Sequence, residues 1–93
     1  MSEEVEYGAI TFEEKHLISI MLFLCINGSC RKIDIYDNVT SNPRVPDKLN
    51  RLEAMGLITQ DKSAGSKSVT VSLTDKGRQI ADRLVELDRL VKS

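Results

Sequence analysis

Tryptophan is missing from this 93-residue chain, proline and cysteine occur twice each, histidine once, and aromatic residues make up 4% of it. Each shortage removes a class of protein. Two cysteines, Cys25 and Cys30, cannot build a secreted disulfide scaffold, and a single histidine gives them no second ligand pair for a structural zinc, so no metal is expected. The longest apolar run, Leu17 to Ile26, has ten residues broken by Ser19, whereas a membrane-spanning helix needs roughly 20. The start, Met1-Ser2-Glu3-Glu4-Val5-Glu6, lacks the basic opening and apolar core of a secretion signal, so an intracellular protein is expected. An excess of charge of either sign is lacking too. Thirteen Lys and Arg against fourteen Asp and Glu leave −1, which excludes a uniformly basic coat for nucleic acid and leaves room for a local patch. That average hides a division, because residues 1–14 hold five acids and no base while residues 15–93 hold thirteen bases and nine acids.

What is present is a chain with 41% apolar and 29% charged residues, the make-up of one compact domain. A chain this short buries only about 60–65% of its unfolded surface, so association with a second copy is expected to supplement the core.

Thr11-Phe12-Glu13-Glu14 has the form of a capping box, in which Thr11 accepts from the Glu14 N–H and Glu14 reaches back to Thr11, and it predicts a helix from there to Cys25 or Ile26, closed at Asn27-Gly28. This helix is apolar nearly all round: Leu17, Ile18, Met21, Leu22 and Cys25 form one stripe, and Ile20, Phe23 and Leu24 add a second. A subunit interface is the simplest use for the second stripe. Ser29 can cap a second, short helix to about Val39, whose first turn carries Arg31 and Lys32 at the end the helix dipole disfavours and a phosphate would favour. After the turn cluster Thr40-Ser41-Asn42-Pro43, a third helix runs to Met55 and stops at Gly56, with Pro43 or Pro46 in its first turn. Leu57–Gln60 and Ser68–Leu73 read as strands around a polar loop, and Thr74-Asp75 caps a last helix to about Val91 with Ile80, Leu84, Leu87 and Val91 on one face.

On the third helix Val45, Leu49 and Leu52 form an anchoring stripe, Arg44, Lys48 and Arg51 lie beside it, and Asp47, Asn50 and Ala54 flank those cations. A DNA major groove accepts such a face: Arg reads guanine O6 and N7, Asn reads adenine, and Lys neutralises phosphate. A solvated surface would have the same composition. Ser41 and Asn42 either cap the helix or hold a phosphate. Tyr36 is expected in the core and His16 at the surface, and no nucleophile with a base, paired metal ligands or Gly-rich phosphate loop is present, so no enzyme activity and no cofactor are expected.

The segment Leu49-Asn50-Arg51-Leu52-Glu53-Ala54-Met55-Gly56-Leu57-Ile58 resembles the "L-x-x-L-x-x-x-G-L-I" junction of winged helix-turn-helix regulators, and Leu73-Thr74-Asp75-Lys76-Gly77 is similar to the "L-T-x-x-G" after their wing. The resemblance is to MarR-like and ArsR-like repressors, closest in size to small homodimeric winged-helix proteins of archaea and their viruses. It implies an α+β, mainly α winged helix in the order α-α-α-β-β-α, an acidic segment at 1–10 and one DNA-binding domain over 11–92. It also implies terminal helices that pair two subunits, here through Ile20, Phe23, Leu24, Leu84, Leu87 and Val91. The third helix would enter the major groove with Arg44, Asp47, Lys48, Asn50 and Arg51, with Ser41 and Asn42 at its start and Arg31 and Lys32 on the backbone. The wing would touch DNA through Lys62, Ser63, Ser66 and Lys67, although its tip has no arginine for the minor groove.

The expected function is that of a homodimeric, sequence-specific double-stranded DNA-binding transcription regulator on a roughly palindromic site, in the cytoplasm of a prokaryotic or virus-infected cell. The alternative is a protein-interaction module of the same fold. Three readings of Cys25 and Cys30 stay open: free thiols, a disulfide within or between chains, or a redox switch.

Overall fold

The computed structural model describes residues 8–62 and 68–93. The capping box expected at Thr11 does not form, and the reason lies in Glu14. Ala9–Glu13 make a 3₁₀ turn, Glu14 leaves it in extended conformation, and His16 turns the chain through φ 74° before helix α1 (Leu17–Asn27) begins. The Glu14 carboxylate, instead of reaching back to Thr11, extends to Lys48 and Arg51. The far end of α1 closes as expected, with Gly28 at φ 78° donating its N–H to the Leu24 carbonyl at 2.9 Å.

Beyond Gly28 comes a strand that the sequence did not announce. Cys30–Arg31, β1, pairs antiparallel with Val71 and Thr70 of β3 (Val69–Leu73), which in turn pairs with β2 (Ile58–Lys62), giving a three-stranded sheet in the order β1-β3-β2. Ser29 therefore does not cap the next helix; its hydroxyl meets that of Ser72 at 2.8 Å. Helix α2 (Lys32–Asn38) is capped from Arg31, whose N–H donates to Asp34 Oδ2 at 2.9 Å. That carboxylate also lies 3.6 Å from the Arg31 guanidinium and balances the cation at this helix end.

Helix α3 (Val45–Ala54) starts behind Arg44 with Pro46 in its first turn. It ends at Gly56, φ 79°, where the chain turns into the sheet. Helix α4 (Asp75–Lys92) is capped by Thr74, whose hydroxyl accepts from the Gly77 N–H at 2.9 Å and donates to the Gly56 carbonyl at 2.6 Å. The Thr74 N–H meets the Leu57 carbonyl at 3.0 Å. Gly77 is buried against that same carbonyl, so closely that any Cβ would overlap it. The two sequence motifs are thus the two halves of one joint: the turn after α3 and the first turn of α4 lock together through Thr74 and the bare backbone of Gly77.

The core contains Leu17, Ile20, Met21 and Leu24 of α1, Ile35 of α2, Val45, Leu49 and Leu52 of α3, Leu57, Ile58, Val71 and Ala81. Burial of each larger side chain is worth about 1.5–3 kcal/mol, so one face of α1 anchors the domain. Ile20 and Leu24, expected at a subunit interface, belong to that face and are fully enclosed by their own chain. Among the described residues no helix is long and apolar enough to cross a membrane.

Candidate nucleic-acid interface

Helix α3 is amphipathic, and its buried edge fixes what it can present. With about 100° per residue, Asp47, Asn50 and Ala54 point directly away from Val45, Leu49 and Leu52, and all three are exposed. Arg44 and Arg51, also exposed, line the edge nearer the chain start, and Glu53 lines the edge nearer the sheet. Lys48 is different. The same arithmetic puts it about 70° from the core centre, and its side chain is 5% exposed with Nζ 3.2 Å from Glu14 Oε2. It is a buried cation tied to the segment that leads into α1, so the sequence expectation that Lys48 faces DNA is corrected. Arg51 shares the same carboxylate more loosely, with Nε 3.6 Å from Glu14 Oε1 and 49% of its side chain exposed.

The α3 entry is built from local hydrogen bonds. Asn42 Oδ1 accepts from the Arg44 N–H at 2.7 Å, and the Asn42 N–H donates to Thr40 Oγ1 at 3.1 Å. Asn42 therefore shapes the turn that leads into α3, whose N-cap position is Arg44, while Ser41 is exposed beside it. On the sheet side, Ile58 and Gln60 share the strand face turned to α3, and Gln60 Nε2 donates to Asn50 Oδ1 at 3.0 Å and to Glu53 Oε1 at 2.8 Å. The sequence reading missed Gln60 and Glu14. The period-2 alternation after buried Ile58 was the available signal for Gln60; nothing local marked Glu14 as a long-range partner.

Lys62 closes β2 and is exposed; Ser63, Ser66 and Lys67 lie outside the described residues. Arg31 is exposed and Lys32 half-buried at the start of α2, and together with Ile33, half-buried Tyr36, Ser68 and Val69 they line a shallow cleft beside the wing base. Between α1 and α4, Ile18, Leu22, Leu84, Leu87 and Val91, together with the polar Asp88, line a mostly apolar groove. Of the residues expected there, Leu87 and Val91 are 55% and 76% exposed, and Phe23 and Leu84 are half-buried. Both cysteines are free thiols. Burial pushes the Cys25 thiol pKa up, aided by its hydrogen bond to Asp82 Oδ1 at 3.4 Å, and burial with the nearby Asp34 charge does the same for Cys30.

Among the described residues, four α-helices with a three-stranded antiparallel sheet, one of them an exposed helix directly before a hairpin, define the architecture. It matches a transcriptional regulator homologue from Pyrococcus horikoshii OT3 with TM-score 0.64 and 22% identity, over 89% of this chain and 92% of that one. The fold is a winged helix. AbfR, in an overoxidized form bound to DNA, matches with TM-score 0.63 and 23% identity, over 80% of this chain, which spans 55% of the AbfR chain. NadR in complex with 4-hydroxyphenylacetate matches with TM-score 0.62 and 18% identity, over 92% of this chain and 77% of that one. No family model and no curated protein matches the sequence. In winged-helix terms α3 is the exposed third helix of the motif, and β2 and β3 are the wing.

Proposed function

We propose that this winged helix is a homodimeric, sequence-specific double-stranded DNA-binding protein that regulates transcription. The observation that carries the reading is the outer face of α3, where exposed Arg44, Asp47, Asn50 and Arg51 stand beside the wing with its Lys62. In this reading α3 enters the major groove, Arg44 and Arg51 meet phosphate or guanine, Asn50 reads a base edge, and Asp47 accepts from a cytosine amine. The wing, with Lys62, Ser63, Ser66 and Lys67, lies on the backbone or minor groove, and Arg31 and Lys32 meet phosphate from the start of α2. Ser41 adds a backbone contact. Asn42 serves by holding the helix start, and Lys48 by fastening α3 to the core. AbfR bound to DNA has this fold, which supports a DNA partner without setting the sequence read.

The second copy is proposed to seat on the α1–α4 groove, where Ile18, Leu87 and Val91 leave large apolar surfaces in water. Two reading helices related by a twofold axis would then address half-sites about 34 Å apart, and the preferred site would be a rough palindrome. The test is selection of bound duplexes from a random pool, followed by the double variant Arg44→Gln, Arg51→Gln. The expected result is an enriched palindrome whose binding the double variant abolishes while the dimer persists. Unchanged affinity in the double variant would shift the reading to a protein-interaction module.

A further inference from the structure

We infer that Gln60, on wing strand β2, is the positioning residue that fixes which edge of the Asn50 amide faces a base, and so sets the base preference at one position of each half-site. The inference rests on the DNA-binding reading above. It starts from a carboxylate, because ionised Glu53 can only accept hydrogen bonds. The Gln60 atom 2.8 Å from Glu53 Oε1 must therefore be the amide nitrogen, Nε2. That nitrogen has a second hydrogen, which points to Asn50 at 3.0 Å, so the Asn50 atom facing it must be the carbonyl oxygen. The orientation of Asn50 follows: Oδ1 is held by the wing, and the Nδ2 amine remains as the outward donor.

A free asparagine on a reading helix can flip its amide by 180° and present either a donor or an acceptor. It then tolerates base edges of opposite character. Anchored by Gln60, Asn50 presents Nδ2, which matches acceptors such as guanine O6 and N7, adenine N7 or thymine O4 and mismatches the cytosine N4 amine. The anchor is stiff because Gln60 sits opposite Val71 in the β2–β3 ladder, next to fully buried Ile58. Glu53 has no part in attracting DNA, since its charge opposes phosphate; its role is to hold the Gln60 amide in one orientation.

The test measures fluorescence anisotropy on the selected duplex and on its single-base-pair variants. Asn50→Ala first locates the base pair that Asn50 reads, as the position where discrimination disappears. Wild type should discriminate there by about tenfold. Gln60→Met, equal in length and without hydrogen bonds, should lower that discrimination to about two- or threefold, leaving the other positions and the salt dependence unchanged. Glu53→Gln should raise affinity for all duplexes while lowering discrimination at the same pair, an opposition that a merely structural role cannot produce. It also carries the test should Gln60→Met melt early. Wild-type discrimination at that pair in both variants, or an equal loss on every duplex, would overturn the inference and leave DNA binding standing. Failure of wild type to bind any duplex would instead overturn the DNA-binding reading, and this inference with it.

Discussion

Lys48 and Arg51 show how one carboxylate sorts two cations of the same helix. Glu14 lies between them, close to the buried Lys48 ammonium and more distant from the half-exposed Arg51 guanidinium. Taking away one partner of a buried pair leaves an uncompensated charge, whereas replacing the cation itself by an apolar side chain of similar length removes the problem. Thermal melts should therefore show Lys48→Met near wild type and Glu14→Ala lower by about 1–2 kcal/mol, the solvent exposure of Glu14 softening the full penalty. Equal losses in the two variants would mean that the pair itself, and not the buried charge, sets the energetics. Gly77 makes a sterner demand. Its Gly77→Ala variant must push a methyl group into the Leu57 carbonyl and open the joint between the α3 turn and α4, at a cost of about 2–3 kcal/mol. A melt unchanged by that substitution would show that the joint relaxes freely.

At the scale of elements, α1 and α4 decide how the chain meets its surroundings. The inward stripe of α1 is used up by the core, and the outward residues Ile18 and Ile26, with Leu87, Leu90 and Val91 of α4, stay wet. Leu87→Glu combined with Val91→Glu should convert a dimer to a monomer by sedimentation equilibrium with little change in the melt of the single chain, because neither side chain belongs to the buried core. A dimer that survives both charges would place the interface elsewhere. Helices α3 and α4 and the hairpin were legible because caps, glycine stops and period changes are local signals. The true start of α1 was not, since the capping pattern at Thr11 was overridden by a long-range ion pair from Glu14. Strand β1 escaped as well, being two residues long and held only by its pairing with β3. On the candidate interface, the exposed Arg44, Asp47, Asn50 and Arg51 followed from helical spacing, whereas the burial of Lys48 and the Gln60 anchor depend on which neighbours the tertiary fold brings alongside.

For the whole molecule, the near-zero net charge is an average over unlike parts. Residues 1–14 carry −5 and residues 15–93 carry +4, so the longer part of the chain is mildly basic, with Arg44 and Arg51 exposed at α3 and Lys62 exposed at the end of β2, while Glu14 of the acidic stretch folds back onto Lys48 and Arg51. A binder of this kind draws its affinity from phosphate neutralisation at a few sites and its selectivity from a few base contacts. DNA binding by this fold is best checked by an anisotropy titration of the full chain on its selected duplex across a salt series. With three or four phosphates neutralised per subunit, a dimer should give a slope of log affinity against log salt of about −5 to −7. Absence of binding to any duplex at low salt, or a slope near zero, would contradict the account.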